Sequence, residues 1–118
     1  MKSLTSDETA QISAAFAAHG IGQHPVTPFP RVVCPVCNAG VVLRYRYLRP
    51  RGDSGNALHG YVWCSACLRY TGFVGAVPDW WGQVDPISAA DHDAYDQDGV
   101  DGLERMLRRA ATLEGAIS

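Results

Sequence analysis

Two short stretches decide how the chain reads: Cys34-Pro35-Val36-Cys37 and Cys64-Ser65-Ala66-Cys67. They hold all four cysteines and are separated by 26 residues. A C-x-x-C segment can turn so that both sulfurs point at one ion while backbone amides support the thiolates. Two such turns supply a closed tetrahedral Cys₄ site, the geometry of structural Zn²⁺. Iron suits four thiolates as well. A redox pair would need a thioredoxin-like βαβ context, which neither pair has.

The segment between the pairs reads as a hairpin. Residues 41–48 alternate, with Leu43, Tyr45 and Tyr47 on one face and Arg44 and Arg46 on the other. Pro50, Gly52, Asp53, Ser54, Gly55 and Asn56 mark a long tip. Residues 58–63 return as a second strand, and 70–77 form a third. The tyrosines are expected to face the core or a covering helix, and the arginines to face out. Arg51-Gly52-Asp53 at the tip reads as turn chemistry.

CPVC, a hairpin, then CSAC and a third strand together resemble a zinc ribbon of the rubredoxin-like knuckle class, over about residues 31–77. The resemblance implies Cys34, Cys37, Cys64 and Cys67 as ligands to one structural zinc. Asn38 follows the first pair, where a positive φ is required and Gly is common. Leu68 stands at the corresponding place after the second pair, where a small residue is usual. Zinc ribbons serve many functions, so the resemblance implies a scaffold.

Outward from the ribbon, residues 4–20 read as a helix. Thr5 and Glu8 have capping-box spacing, Ile12 and Phe16 form an apolar stripe, and His19-Gly20 is the stop. A connector with three prolines follows. Past Val77-Pro78-Asp79-Trp80-Trp81-Gly82, residues 88–115 read as a helical region. One helix begins near Ser88; another runs about 102–114, with Leu103, Met106, Leu107, Ala110 and Leu113 at helical spacing and Gly115 as its stop. The expectation is an α+β fold: about three antiparallel strands, an N-terminal helix and one or two C-terminal helices, in a single domain over 1–118.

The 118 residues are 47% hydrophobic and 19% charged, a globular composition. Net charge is −2, which lacks the overall basic field of most nucleic-acid binders. The charge is polarised. Residues 31–69 carry six arginines and one acid, whereas 79–104 carry eight acids and no lysine or arginine. The N-terminal residues contain no apolar h-region and no run reaches membrane-span length, so the expected setting is cytoplasmic, where thiols stay reduced.

No Ser/His/Asp set, paired carboxylates or glycine-rich phosphate loop is recognisable, and the expectation is a protein that is not an enzyme. The aspartates of 91–101 do not fit an EF-hand: with Gly99 at position six, Ala94 and Arg105 fall where carboxylates belong. His59 could support the metal site or simply pack. Trp80 and Trp81 either close the core or leave one ring accessible to a partner.

Two functions remain. The first is a zinc-binding protein-interaction module, such as a small inhibitor, immunity-type or adaptor protein. It would meet a basic partner through Asp79, Trp80, Trp81, Asp85, Asp93, Asp96 and Asp98. The second is nucleic-acid binding through Arg44, Arg46, Arg49 and Arg51. No membrane or small-molecule substrate is implied.

Overall fold

The computed structural model describes residues 1–25 and 29–113; for Ser54 it describes the backbone only. The expected stop at Gly115 and the middle of the proline connector lie outside the described residues.

The chain forms β1 (Lys2–Ser3), α1 (Ser6–Ala18), β2 (Val32–Val33), β3 (Val41–Pro50), β4 (Asn56–Cys64), β5 (Arg69–Gly75), α2 (Ala89–Asp96) and α3 (Gly99–Leu113). The α+β class agrees with the sequence reading. The strand count does not: among the described residues five strands, ordered β1-β5-β4-β3-β2, replace the expected three or so. The two additional strands are each two residues long and lie at the sheet edges, too short to show periodicity. β1 also makes the sheet mixed, because it pairs parallel to β5 while every other pair is antiparallel.

α1 begins and ends as its residues dictate. The Thr5 amide donates to Glu8 Oε1 at 3.0 Å and the Glu8 amide donates to Thr5 Oγ1 at 3.1 Å, completing the capping box. At the other end Gly20 takes φ +71°, which places its amide on Ala17 O and the Ile21 amide on Phe16 O. That pair of bonds is a Schellman stop, and it buries Ile21.

β3 and β4 pair from Val42–Cys64 to Pro50–Asn56, so each end of the hairpin has a defined role. The tip closes where Arg51 N donates to Gly55 O, between glycines with positive φ. The base carries both cysteine pairs. β3 is covered on both faces, and this is why its polar alternation does not leave a wet side. Leu43, Tyr45, Tyr47 and Trp63 pack against Ile87 and against Met106, Leu107, Ala110 and Ala111 of α3. On the opposite face Val42 packs with Ile12 of α1 and with Cys34 and Cys64. Fully burying an apolar side chain of this size stabilises by about 1.5–3 kcal/mol, so α3's Met106 and Leu107 anchor that helix. Among the described residues, no helix is long and apolar enough to cross a membrane.

Candidate metal centre and the surrounding surfaces

The two C-x-x-C segments end as matching turns. Asn38 N donates to Cys34 O at 2.8 Å, and Leu68 N donates to Cys64 O at 3.1 Å. Asn38 and Leu68 both adopt φ 57°. The leucine therefore accepts the left-handed turn despite its bulk. The turns are tied to each other through the strand base: Cys34 N donates to Gly40 O, Ser65 N to Val41 O, and Val41 N to Ser65 Oγ. Gly40 makes this approach possible. A Cβ there would lie 2.6 Å from the Ala66 backbone nitrogen and 2.8 Å from Cys64 Sγ.

This closure brings Cys34, Cys37, Cys64 and Cys67 Sγ within 4.8 Å of one another, with Cys37 and Cys64 sulfurs 3.5 Å apart. Cys34 and Cys64 are fully buried against α1, and all four cysteines are free thiols. Ala66 N and Cys67 N point at Cys64 Sγ, at 3.4 and 3.5 Å. Donation from the Ala39 and Gly40 amides lowers the Cys37 thiol to about 6. Burial raises Cys34, and burial pushes Cys67 up to about 12. The residues fit a metal: four sulfurs converge, amides are aimed at thiolate positions, and buried thiols are released from an unfavourable charge only when a cation shares it. The four-cysteine group could bind a metal ion.

The hairpin arginines have four different fates. Arg46, expected to face out, is instead 6% exposed, because the connector and the Trp80–Trp81 segment cover that face. Arg44 is half-buried and donates to the carbonyls of Gly22 and His24. Arg49 donates to Asp93 and to Ala89 O, with Asp96 at 3.7 Å. Arg51 is exposed at the tip. Alternation put Arg44 and Arg46 opposite the tyrosines, as read; it carried no information about what would cover them.

Trp80 and Trp81 are half-buried. Trp80 lies against His24, with centroids 4.5 Å apart, and 5.9 Å from Trp81. Asp79 is exposed. Asp98 pairs with Arg105, and Asp91 pairs with Arg109 at 2.8 Å. Asp85 points inward. Its Oδ1 accepts from the Tyr45 hydroxyl at 2.5 Å and from Ile87 N at 2.9 Å, and its Oδ2 lies 2.7 Å from His92 Nε2. His92 is 2% exposed and stacks on Tyr47. His59 also stacks on Tyr47, and burial lowers its pKa; its ring belongs to this aromatic layer. Nothing in the sequence marks the Tyr45–Asp85–His92 group, since Tyr45 lies 40 and 47 residues along the chain from Asp85 and His92.

No protein-family model, curated protein or solved structure matches the chain.

Proposed function

We propose that the chain is a non-catalytic, zinc-stabilised module that binds another protein. The observation that carries this reading is the convergence of four cysteine sulfurs within 4.8 Å, two of them buried between the sheet and α1. Four thiolates fill a tetrahedral zinc and leave no position for water or substrate, so the ion's part is to hold the fold. Zinc in such a site contributes on the order of 10 kcal/mol of apparent folding free energy, which suits a sheet of this size.

The partner surface is the segment from Asp79 to Val84. Trp80 and Trp81 are half-exposed there, and Val84 is 91% exposed. Large apolar groups displayed together are typical of interface anchors. Asp79 is exposed at the head of that segment, and Asp93, Asp96 and Asp98, each already facing Arg49 or Arg105, add a weak negative fringe. That fringe favours a partner with a basic surface, such as the target of an inhibitor, immunity-type or adaptor protein. Nucleic-acid binding is the weaker reading, because Arg44 and Arg46 are covered and Arg49 already meets two aspartates.

Metal analysis and capture test the two parts. One zinc per chain, with loss of folded signal on chelation, is expected. In capture, Trp81→Ala and Val84→Asp should lose the proteins retained by the parent chain. Retention of every partner by both variants would remove this surface. Salt-dependent binding to labelled DNA or RNA at about 50 mM salt, weakening steeply by about 200 mM, would instead favour the nucleic-acid reading.

A further inference from the structure

The two edges of the sheet are built differently. At one, Val32–Val33 is flanked by Pro30 and Pro35, and proline offers no amide to an incoming strand. At the other, β1 covers only the start of β5. Lys2 sits beside Arg69, Ser3 beside Tyr70, and Leu4 N donates to Tyr70 O at 2.7 Å. Past Tyr70, no strand among the described residues lies on that side of β5. Gly72, Phe73, Val74 and Ala76 are exposed.

Two bonds fix which way the main chain points along this edge. The Tyr70 carbonyl turns to β1, so alternation turns the amides and carbonyls of Gly72 and Val74 outward as well. The bond from Ser65 N to Val41 O gives the same result from across the sheet. In step with it, Tyr45–Tyr61 and Tyr47–His59 face each other, which leaves Val62, Gly60 and Leu58 to face Thr71, Phe73 and Gly75. The open donors and acceptors are therefore those of Gly72 and Val74. Residues 70–78 carry no charge and no proline before Pro78, so the usual guards of a strand edge are missing here.

Side chains in this part of the sheet match large against glycine. A Cβ on Gly60 would strike the Phe73 ring, and one on Gly72 would lie 2.7 Å from Tyr61 Cε1. Gly75 has no such cover: a Cβ there would meet nothing within 4 Å.

We infer that the outer edge of β5 pairs antiparallel with β5 of a second copy of this chain, about a two-fold axis at Val74. Outward groups on Gly72 and Val74 allow two-fold pairings centred on Phe73 or on Val74. Centred on Phe73, Gly75 of the second copy would fall beside Thr71, where Leu4 already lies one step past the Ser3–Tyr70 pair. Centred on Val74, residues 72–76 of both copies pair clear of β1. Gly72 then meets Ala76, Val74 meets Val74, and Phe73 meets Gly75, the one glycine of the strand with open space beside it. Two uncharged edges meet without like-charge repulsion, which is what makes a second copy the fitting occupant. Five residues a side make a small interface, so the dissociation constant is expected at about 100 µM. Nothing in this pairing depends on which metal the cysteines hold.

Sedimentation equilibrium of the metal-loaded full chain, from about 10 µM to about 1 mM, should show a monomer–dimer equilibrium. Amide exchange at Gly72 and Val74 should slow as concentration rises. Val74 is 58% exposed and lies across from itself in this register. Val74→Lys and Val74→Glu should therefore each weaken self-association by at least about tenfold, and an equal mixture of the two should restore it. Metal content and circular dichroism check that both variants fold. Trp81→Ala should leave association unchanged, which separates this edge from the Asp79–Val84 surface. A chain that stays monomeric at about 1 mM, a dimer that Val74→Lys leaves intact, or folded variants whose mixture stays monomeric would overturn the inference.

Discussion

Asn38 and Leu68 share one backbone state. Each follows the second cysteine of its C-x-x-C pair, and each takes φ 57°. The two turns are equivalent in geometry and unequal in chemistry. Asparagine visits the left-handed region at low cost, whereas a bulky residue there is strained by about 1–2 kcal/mol. Leu68→Asn is therefore expected to stabilise the metal-loaded chain by about 0.5–1 kcal/mol after the loss of some leucine packing. Asn38→Leu should destabilise it by about 1 kcal/mol. Denaturant midpoints of the two variants, at equal metal content, check the pair. A Leu68→Asn variant weaker than the parent would show that Leu68's packing outweighs its strain.

The cysteine centre sits at the base of β3 and β4 and under α1, so losing a sulfur should be felt well beyond the site. Cys34→Ser and Cys64→Ser are expected to lose the metal and most of the cooperative unfolding transition. A strong chelator should do the same to the parent chain. Because thiolates must be formed to hold a cation, acid should release the metal and neutral buffer restore it. Metal content and far-UV circular dichroism across a pH series measure this. A chain that keeps its transition after complete metal removal would show that the packed core alone holds the fold.

Glu8 has two tasks, closing the capping box with Thr5 and holding Arg69 of β5 at 2.7 Å. The Thr5 amide, then Arg69, bring its carboxyl below the ordinary value of 4.5. A carboxyl whose folded pKa is depressed contributes stability above its unfolded value, and the contribution is lost as pH falls through the folded value. Glu8→Gln should thus lower stability at neutral pH and flatten its dependence below about pH 4.5. Thermal unfolding of both chains from neutral pH into acid is the measurement. Parallel curves would rule out this role.

The Tyr45–Asp85–His92 group binds the loop before α2 to the middle of β3. Asp85→Ala removes the acceptor that the Tyr45 hydroxyl, Ile87 amide and His92 ring all address. Leaving buried polar groups without that acceptor should cost about 1–3 kcal/mol. A cycle combining Asp85→Ala with Tyr45→Phe should show coupling between the two positions. Strict additivity would mean that the pair contributes packing alone.

Arg49 spans from β3 to α2, reaching Asp93 and Ala89 O, with Asp96 nearby. The acids are largely exposed, so Arg49→Ala should cost no more than about 1 kcal/mol, with the effect shrinking in high salt. Arg51→Ala, at the exposed tip, should leave stability unchanged. Unfolding midpoints at low and high salt separate the two.

Local chemistry made much of this molecule legible in advance. The Thr5–Glu8 spacing, the His19-Gly20 stop and the apolar stripe of α3 each depend on residues within a few positions of one another; the first two formed at their places, while α3 starts earlier, at Gly99, and buries Met106, Leu107 and Ala110 of the stripe but leaves Leu113 exposed. The hairpin and both cysteine turns were readable for the same reason, because C-x-x-C spacing is itself a turn constraint. The edge strands β1 and β2 were not, since a two-residue strand exists only by virtue of the strand it meets.

The sequence by itself determined that four thiols would flank one hairpin, that Tyr45 and Tyr47 would share a face, and that Arg44 and Arg46 would take the other. Tertiary structure alone decided what covers each face. Strand alternation assigns sides, but coverage depends on segments dozens of residues away. α3 buries the tyrosines, while the 22–24 connector and Trp80–Trp81 withdraw Arg44 and Arg46 from water. The arginines were legible as charges, and only packing made one of them a buried cation with a donor to spare.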